Sequence, residues 1–460
     1  MSDFSVGLVE GFYGRPWSHR DRLATLRLFP EFGFDTYYYA PKNDPLQRDR
    51  WRQPYPARAL GRLSELAREA LALGARFSVA ISPGLSLRPW DPTDLRLLEA
   101  KLKHLYEAGV RHFAILFDDL PPVLDQPEAV AAFGPGPAGL GRAHGAVGAR
   151  VAAFLRERLR LDGPVELCPQ DYAGLEPTPY RRALAETLPA DARIMWTGAD
   201  VVVGAVTEDD VRRAGAAFER ELILWDNFPV NDFDRSRAFL GPLVGRPARV
   251  DGLPLAGIAA NPMVEAAPSW LALASVGRWA ADPARYDPAA AARAALEQIA
   301  GPFAARLEPL VRVCSSWPPS APRDAELAAL VARARAGRAD AADLDRLGNR
   351  CQELAGLSSR LPASGSPVPD ALAGQLRPWL AAGRRAGLTG LACVAALRAA
   401  EGPPARQERA RSRLRAALAA WRAAPKDVLR PLLEPWAAEL AGETPPETIA
   451  APAVSPPRTG

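Results

Sequence analysis

The stretch HFAILFDD at 112–119 decides how the chain folds. Its apolar residues run on without a polar break, and two aspartates follow directly. A short apolar run bounded by polar residues suits a strand buried on both faces. Seven other runs share this texture: VGLVEG at 6–11, TYYYAP at 36–41, FSVAIS at 77–82, VELCPQDY at 165–172, RIMWTG at 193–198, LILWDN at 222–227 and AGIAANP at 256–262. Segments of helical period lie between them at 18–29, 57–73, 92–108, 138–160, 177–187 and 207–219. Ser18, Asp91 with Pro92, and Thr207 with Glu208 and Asp209 stand where helix starts need them. Strands that alternate with helices form a parallel sheet, because parallel neighbours need a crossover. Eight such units in about 280 residues predict an α/β fold, the (β/α)8 TIM barrel. The rival is a doubly wound open sheet. It requires a Gly-rich phosphate turn after the first strand, and GFYGRPW at 11–17 lacks the GxGxxG spacing.

Beyond about residue 282 the strand-like runs stop. Leu327, Leu330, Val331 and Ala334 share one helical face, and Leu344, Leu347, Cys351 and Leu354 repeat the pattern. Further helices are expected over 370–382, 386–400, 405–423 and 427–440, separated by loops such as PASGSPVP at 362–369. The expected organisation is a catalytic barrel over 1–282, an all-α helical bundle domain over 283–440 and a Pro-rich disordered tail over 441–460.

Hydrophobic residues make up 48% and charged residues 24%, which excludes a mostly disordered chain. A net charge of +4 over 460 residues does not make a nucleic-acid-binding protein, so no nucleic-acid partner is expected. Only Lys42, Lys101, Lys103 and Lys426 among the 57 basic residues are lysines. Cys168, Cys314, Cys351 and Cys393 stand far apart with no CxxC pair, so neither a disulfide framework nor a zinc site is expected. Four scattered histidines without HExxH take away most of the case for metal catalysis, and no cofactor is expected. The N-terminal residues lack a basic stretch followed by an apolar one, which predicts a cytoplasmic protein without a signal peptide. No unbroken run of about 18 apolar residues occurs, so no membrane-crossing helix is expected.

Active sites of such barrels lie at the C-terminal ends of the strands. The expected strand ends carry Glu10-Gly11, Lys42-Asn43-Asp44, Ser82, Asp118-Asp119, Gln170-Asp171-Tyr172, Trp196-Thr197, Trp225-Asp226-Asn227 and Asn261. Packing requires none of these polar groups. Amides, carboxylates and aromatics without phosphate-binding glycines suit a neutral polyhydroxylated ligand, above all a sugar. The adjacent acids Asp118 and Asp119 then suggest glycoside hydrolysis. A retaining glycosidase with its own nucleophile sets two carboxyls about 5–5.5 Å apart across the scissile bond, which neighbours at one strand end do poorly. A 2-acetamido sugar resolves this by supplying its own nucleophile. Its carbonyl oxygen attacks C1 to give an oxazoline, one acid supports the amide, and the other protonates the leaving oxygen.

With these residues in view, the sequence resembles glycoside hydrolase family 84, the O-GlcNAcases and bacterial β-N-acetylglucosaminidases. VEGFYGRPW at 9–17, YYYAPKND at 37–44, FDD at 117–119, CPQDY at 168–172, WTG at 196–198, LWDNFPVND at 224–232 and NPM at 261–263 carry the resemblance in order. It implies that Asp118 orients the acetamido group and that Asp119 is the general acid/base. It also implies that Tyr172 steadies the acetamide oxygen, Gly11 offers a backbone contact and Lys42 binds a hydroxyl. Asn227, Asp232 and Asn261 would hold the hydroxyls and acetamido region, with Cys168, Thr197, Val201 and Trp225 lining the N-acetyl pocket. Asn43 departs from the family, which often has a second acid there.

The function implied is a retaining exo-β-N-acetylglucosaminidase acting on a GlcNAc-bearing glycoside or glycoprotein. A catalytically inactive GlcNAc-binding protein on the same scaffold is the alternative. The sequence leaves the helical region open as a peptide groove, a homodimer contact or neither.

Overall fold

The computed structural model describes residues 4–122 and 124–444. The expected tail therefore lies, from residue 445 onward, outside the described residues. All eight expected strands form: β1 Ser5–Glu10, β2 Thr36–Tyr39, β3 Arg76–Ile81, β4 His112–Leu116, β5 Glu166–Cys168, β6 Arg193–Trp196, β7 Glu221–Asp226 and β8 Leu255–Ala260. They pair in sequence order, every pair parallel, and β8 returns to β1 to close the barrel. Alternation along each strand divides the apolar residues. Val9, Tyr38, Ala80, Leu116, Cys168, Met195, Trp225 and Ala259 join in one cluster that fills the barrel. Leu8, Tyr37, Val79, Ile115, Leu167, Ile194, Leu224 and Ile258 belong to the larger core beneath the helices. Both faces of each strand are thus buried, as a parallel sheet requires.

The helix starts follow from their caps. Ser18 and Asp21 form a reciprocal capping box ahead of His19–Arg27, and Thr207 with Asp210 does the same ahead of Glu208–Phe218. Asp91 caps Pro92–Glu107, with proline where its missing N–H costs nothing. The segment expected at 138–160 is an α-helix over Gly136–Ala153 that widens into a π-helical turn over Phe154–Arg158.

Two strand-end carboxylates belong to the scaffold. Glu10 is fully buried and accepts from Arg22 Nε and Nη2 at 2.7 Å each and from the Tyr37 hydroxyl at 2.7 Å. Asp226 is buried in a fork from Arg246, with both contacts at 2.7 Å. Among the described residues, the barrel is followed by the helix Ala266–Ala281 and then by helices alone.

One expectation for that region is corrected. The helices expected at 370–382 and 386–400 are a single helix, Pro367–Ala399. Glycine is a poor helix former, which is why 383–387 resembles a break. Here the glycines serve packing against the helix Ala341–Ala355. A side-chain carbon on Gly387 would stand 2.4 Å from the Ala355 nitrogen, and one on Gly390 would stand 2.3 Å from Cys351 Sγ. By length and composition alone this helix is also apolar enough to cross a membrane, although no unbroken apolar run marks it in the sequence. Arg384 and Arg385 interrupt its apolar run and hide that length in the sequence. Half of its most apolar window is buried against protein.

Gly387→Val should overpack this contact at a cost of about 1–3 kcal/mol. Differential scanning calorimetry would register a lowered Tm, and an unchanged Tm would refute the close approach. Arg246→Met would leave Asp226 as an unpaired buried charge, costing about 3–5 kcal/mol. Urea unfolding should show a lower midpoint for this variant than for Arg213→Met at an exposed ion pair.

Candidate active site

The acid pair stands where β4 ends, among the ends of the other strands. Asp118 is buried, and Lys42 from the β2 end pairs its ammonium with Asp118 Oδ2. Asp118 Oδ1 is also buried but accepts no hydrogen bond among the described residues. Such an oxygen is costly unless a ligand's donor meets it.

Asp119 adopts a left-handed backbone with φ 56°. Among residues other than glycine, Asp and Asn tolerate this region best. Successive side chains of an extended strand would point to opposite sides. The left-handed turn instead leaves both carboxylates at one mouth. Asp119 Oδ2 accepts from the Tyr13 hydroxyl at 2.6 Å, beyond the β1 end. Asp119 Oδ1 accepts from the Tyr172 hydroxyl at 2.9 Å, beyond the β5 end. Burial, and next the charge of Asp119, push both phenols well above their usual pKa, so they remain protonated donors.

A second group of the expected residues meets at the ends of β1, β7 and β8. The Gly11 N–H donates to Asn261 Oδ1 at 3.3 Å, and Asn261 Nδ2 donates to Asn227 Oδ1 at 2.9 Å. Trp225 Nε1 donates to the same Asn227 oxygen at 3.1 Å, while Asn227 Nδ2 donates to the Val201 carbonyl at 2.7 Å. A side-chain carbon on Gly11 would lie 2.2 Å from the Trp225 ring, so only glycine lets the indole sit there. The Lys42 ammonium stands 5.5 Å from the centre of the same indole and so joins the two groups.

The remaining expected residues sit around these groups. Asp232 Oδ2 accepts the Tyr13 N–H at 2.7 Å, and burial raises its carboxyl above the usual range. Thr197 turns its hydroxyl to the Asp200 carbonyl at 3.0 Å, and its N–H donates to the Tyr172 carbonyl at 3.1 Å. It therefore steadies the Tyr172 loop. Cys168 lies in the barrel interior against Tyr172, and burial pushes its thiol well up. That suits a packed wall better than a thiolate nucleophile. Trp196 belongs to the outer core and donates to the Gly174 carbonyl at 2.9 Å.

Two residues at the acid pair escaped the sequence reading. Tyr13 holds Asp119, and its position two residues beyond the strand-end Gly11 was the available signal. Arg48 donates to the Asp119 carbonyl at 3.4 Å, and nothing in its sequence neighbourhood marks it. Other acids are committed elsewhere: Asp44 takes the hydroxyls of Tyr39 at 2.8 Å and Tyr55 at 2.9 Å. Asn43 Oδ1 accepts the Gly14 N–H at 2.8 Å, so this departure from the family pattern fastens the β2 loop to the β1 loop. Among the described residues, no three His, Cys, Asp or Glu side chains cluster as a metal ion would need.

The NAGidase family model, described as beta-N-acetylglucosaminidase, matches residues 6–313. The chain is 31% identical over 288 residues to the Protein O-GlcNAcase of Rattus norvegicus, covering 60% of this chain and 30% of that protein. The Mus musculus Protein O-GlcNAcase gives the same figures. The match thus spans less than a third of the length of these relatives. The structure of CpGH84B superposes with a TM-score of 0.83 at 26% identity, over 95% of this chain and 76% of that one. A mutant of the Thermobaculum terrenum O-GlcNAc hydrolase gives a TM-score of 0.84 at 24% identity, over 95% and 94% of the two chains, a likeness of fold. With the family model covering the whole barrel and the first helices after it, the chain belongs to the beta-N-acetylglucosaminidase family, glycoside hydrolase family 84.

Proposed function

We propose that the protein is a retaining exo-β-N-acetylglucosaminidase that removes terminal β-linked GlcNAc, in the manner of an O-GlcNAcase, by substrate-assisted catalysis. The supporting observation is the asymmetry of the acid pair. Asp118 is fixed by Lys42 and keeps one buried oxygen unpartnered, whereas Asp119 is steered by two phenols.

Asp118 Oδ1 is suited to accept the acetamido N–H. This draws the amide carbonyl oxygen toward C1 and balances the positive charge that grows on the amide. As the carbonyl oxygen bonds to C1, the bond from C1 to the leaving oxygen breaks, and Asp119 gives that oxygen its proton. Asp119, now a carboxylate, takes a proton from water as the water attacks C1 and reopens the oxazoline. Two displacements at C1 retain its configuration. The two tyrosine donors can hold the Asp119 carboxyl in one orientation for both the acid and the base step. Lys42 spends one N–H on Asp118 and has further donors for a sugar hydroxyl. Asn227, Asn261 and Asp232 offer amide and carboxylate partners for the remaining hydroxyls. The face of Trp225 suits the acetyl methyl.

Asp119→Ala should cut kcat/KM by about 10²–10⁴-fold on a glycoside with a poor leaving group. With an activated aryl β-N-acetylglucosaminide the loss should be much smaller, since less proton assistance is needed. Equal losses on both would remove the acid role. Asp118→Asn should impair every substrate, because the oxazolinium loses its counter-charge, and full activity in this variant would sink the substrate-assisted scheme. A thiazoline shaped like the bicyclic intermediate should block wild-type turnover competitively. Binding of that thiazoline without any turnover of either glycoside would favour an inactive GlcNAc-binding protein.

A further inference from the structure

The loop after β7 is gripped from two sides. Trp379 Nε1 and the Asp427 N–H, both from the helical region, donate to the Ser236 carbonyl at 2.9 Å each. Lys426 donates its ammonium to the neighbouring Arg235 carbonyl and lies 3.8 Å from the centre of the Trp379 ring. Arg323 holds the Asp427 carboxylate in a fork at 2.8 and 2.7 Å. Two successive carbonyls of the loop are therefore taken by Trp379 on a helix and by Lys426 and Asp427 in a connection between helices.

The same loop holds Tyr13 at both ends of its backbone. Asp232 accepts the Tyr13 N–H at 2.7 Å, and Arg235 Nη2 donates to the Tyr13 carbonyl at 3.2 Å. The Arg235 guanidinium occupies the place where a side chain on Gly14 would stand. With its backbone so held, Tyr13 sets its hydroxyl 2.6 Å from Asp119.

We propose that the helical region braces the 232–236 loop, and that Trp379 and Lys426 are positioning residues for Asp119, acting through Asp232, Arg235 and Tyr13. This rests on the role given to Asp119 above. A loop without such anchors frays at little cost, and a small displacement of a catalytic group is expensive in rate. The helical region thus contributes to proton transfer without touching the sugar.

The test compares wild type with Trp379→Phe/Lys426→Met, which removes two donors and keeps an aromatic ring and the aliphatic stem, and with Lys426→Met alone. Lys426→Arg, which keeps the cation and a donor, is the rescue. On phenyl β-N-acetylglucosaminide, kcat/KM of the double variant should fall about tenfold. On the dinitrophenyl glycoside it should fall less than about twofold, because proton assistance matters little there. Lys426→Met should show the same skew to a smaller degree, and Lys426→Arg should stay near wild type on both. Hydrogen–deuterium exchange should accelerate at 232–236 and at 12–15 in the double variant. Equal losses on the two glycosides, or unchanged exchange at 12–15, would overturn the proposal. If the double variant fails to fold, Lys426→Met answers both questions. If wild type hydrolyses neither glycoside, the functional reading has failed, and exchange at 12–15 still decides whether the brace reaches Tyr13.

Discussion

A sheet of parallel strands that closes on itself has two mouths and no edges. All eight strands end at the same mouth, so residues hundreds of positions apart become neighbours there. Gly11 meets Asn261 because β1 is hydrogen-bonded to β8, and Tyr13 meets Asp232 because the loop beyond β7 opens at the same mouth. The acid pair would be an ordinary turn without that closure. With it, the partners of Asp118 and Asp119 come from the ends of β1, β2 and β5.

Partners sort the carboxylates at this mouth into two kinds. Glu10 and Asp226 are each locked in an arginine fork and have no free reach toward a ligand. A buried pair of this sort offsets the loss of hydration and orders the strand ends. Asp118 is buried beside a lysine, a point charge that satisfies one oxygen and leaves the other open. Asp119 is held by neutral phenols, which direct a carboxylate without neutralising it.

The helical region follows a different logic. Its long helix lies close to a neighbour through Gly387 and Gly390, and its Trp379 reaches the loop beyond β7. Precise placement of that loop is the means by which a region outside the barrel reaches the acid pair.

The residues by themselves determined the barrel and the polar groups that gather at its C-terminal mouth. Eight short apolar runs with capped helices between them have few other ways to bury both strand faces, and the polar strand ends were visible as such. The sequence also marked Asp118, Asp119, Lys42, Tyr172, Asn227, Asp232 and Asn261, because strand ends are local features. Tertiary structure alone decided which acids are free. Glu10 and Asp118 look alike in sequence, and only the arrival of Arg22 at one and Lys42 at the other separates them. It decided that Tyr13 is the second support of Asp119, since a hydroxyl's partner depends on which loops share a mouth. It also decided that 367–399 is one helix. Glycines that weaken a helix in isolation are retained when a neighbouring backbone needs the space, and local propensity holds no record of that neighbour.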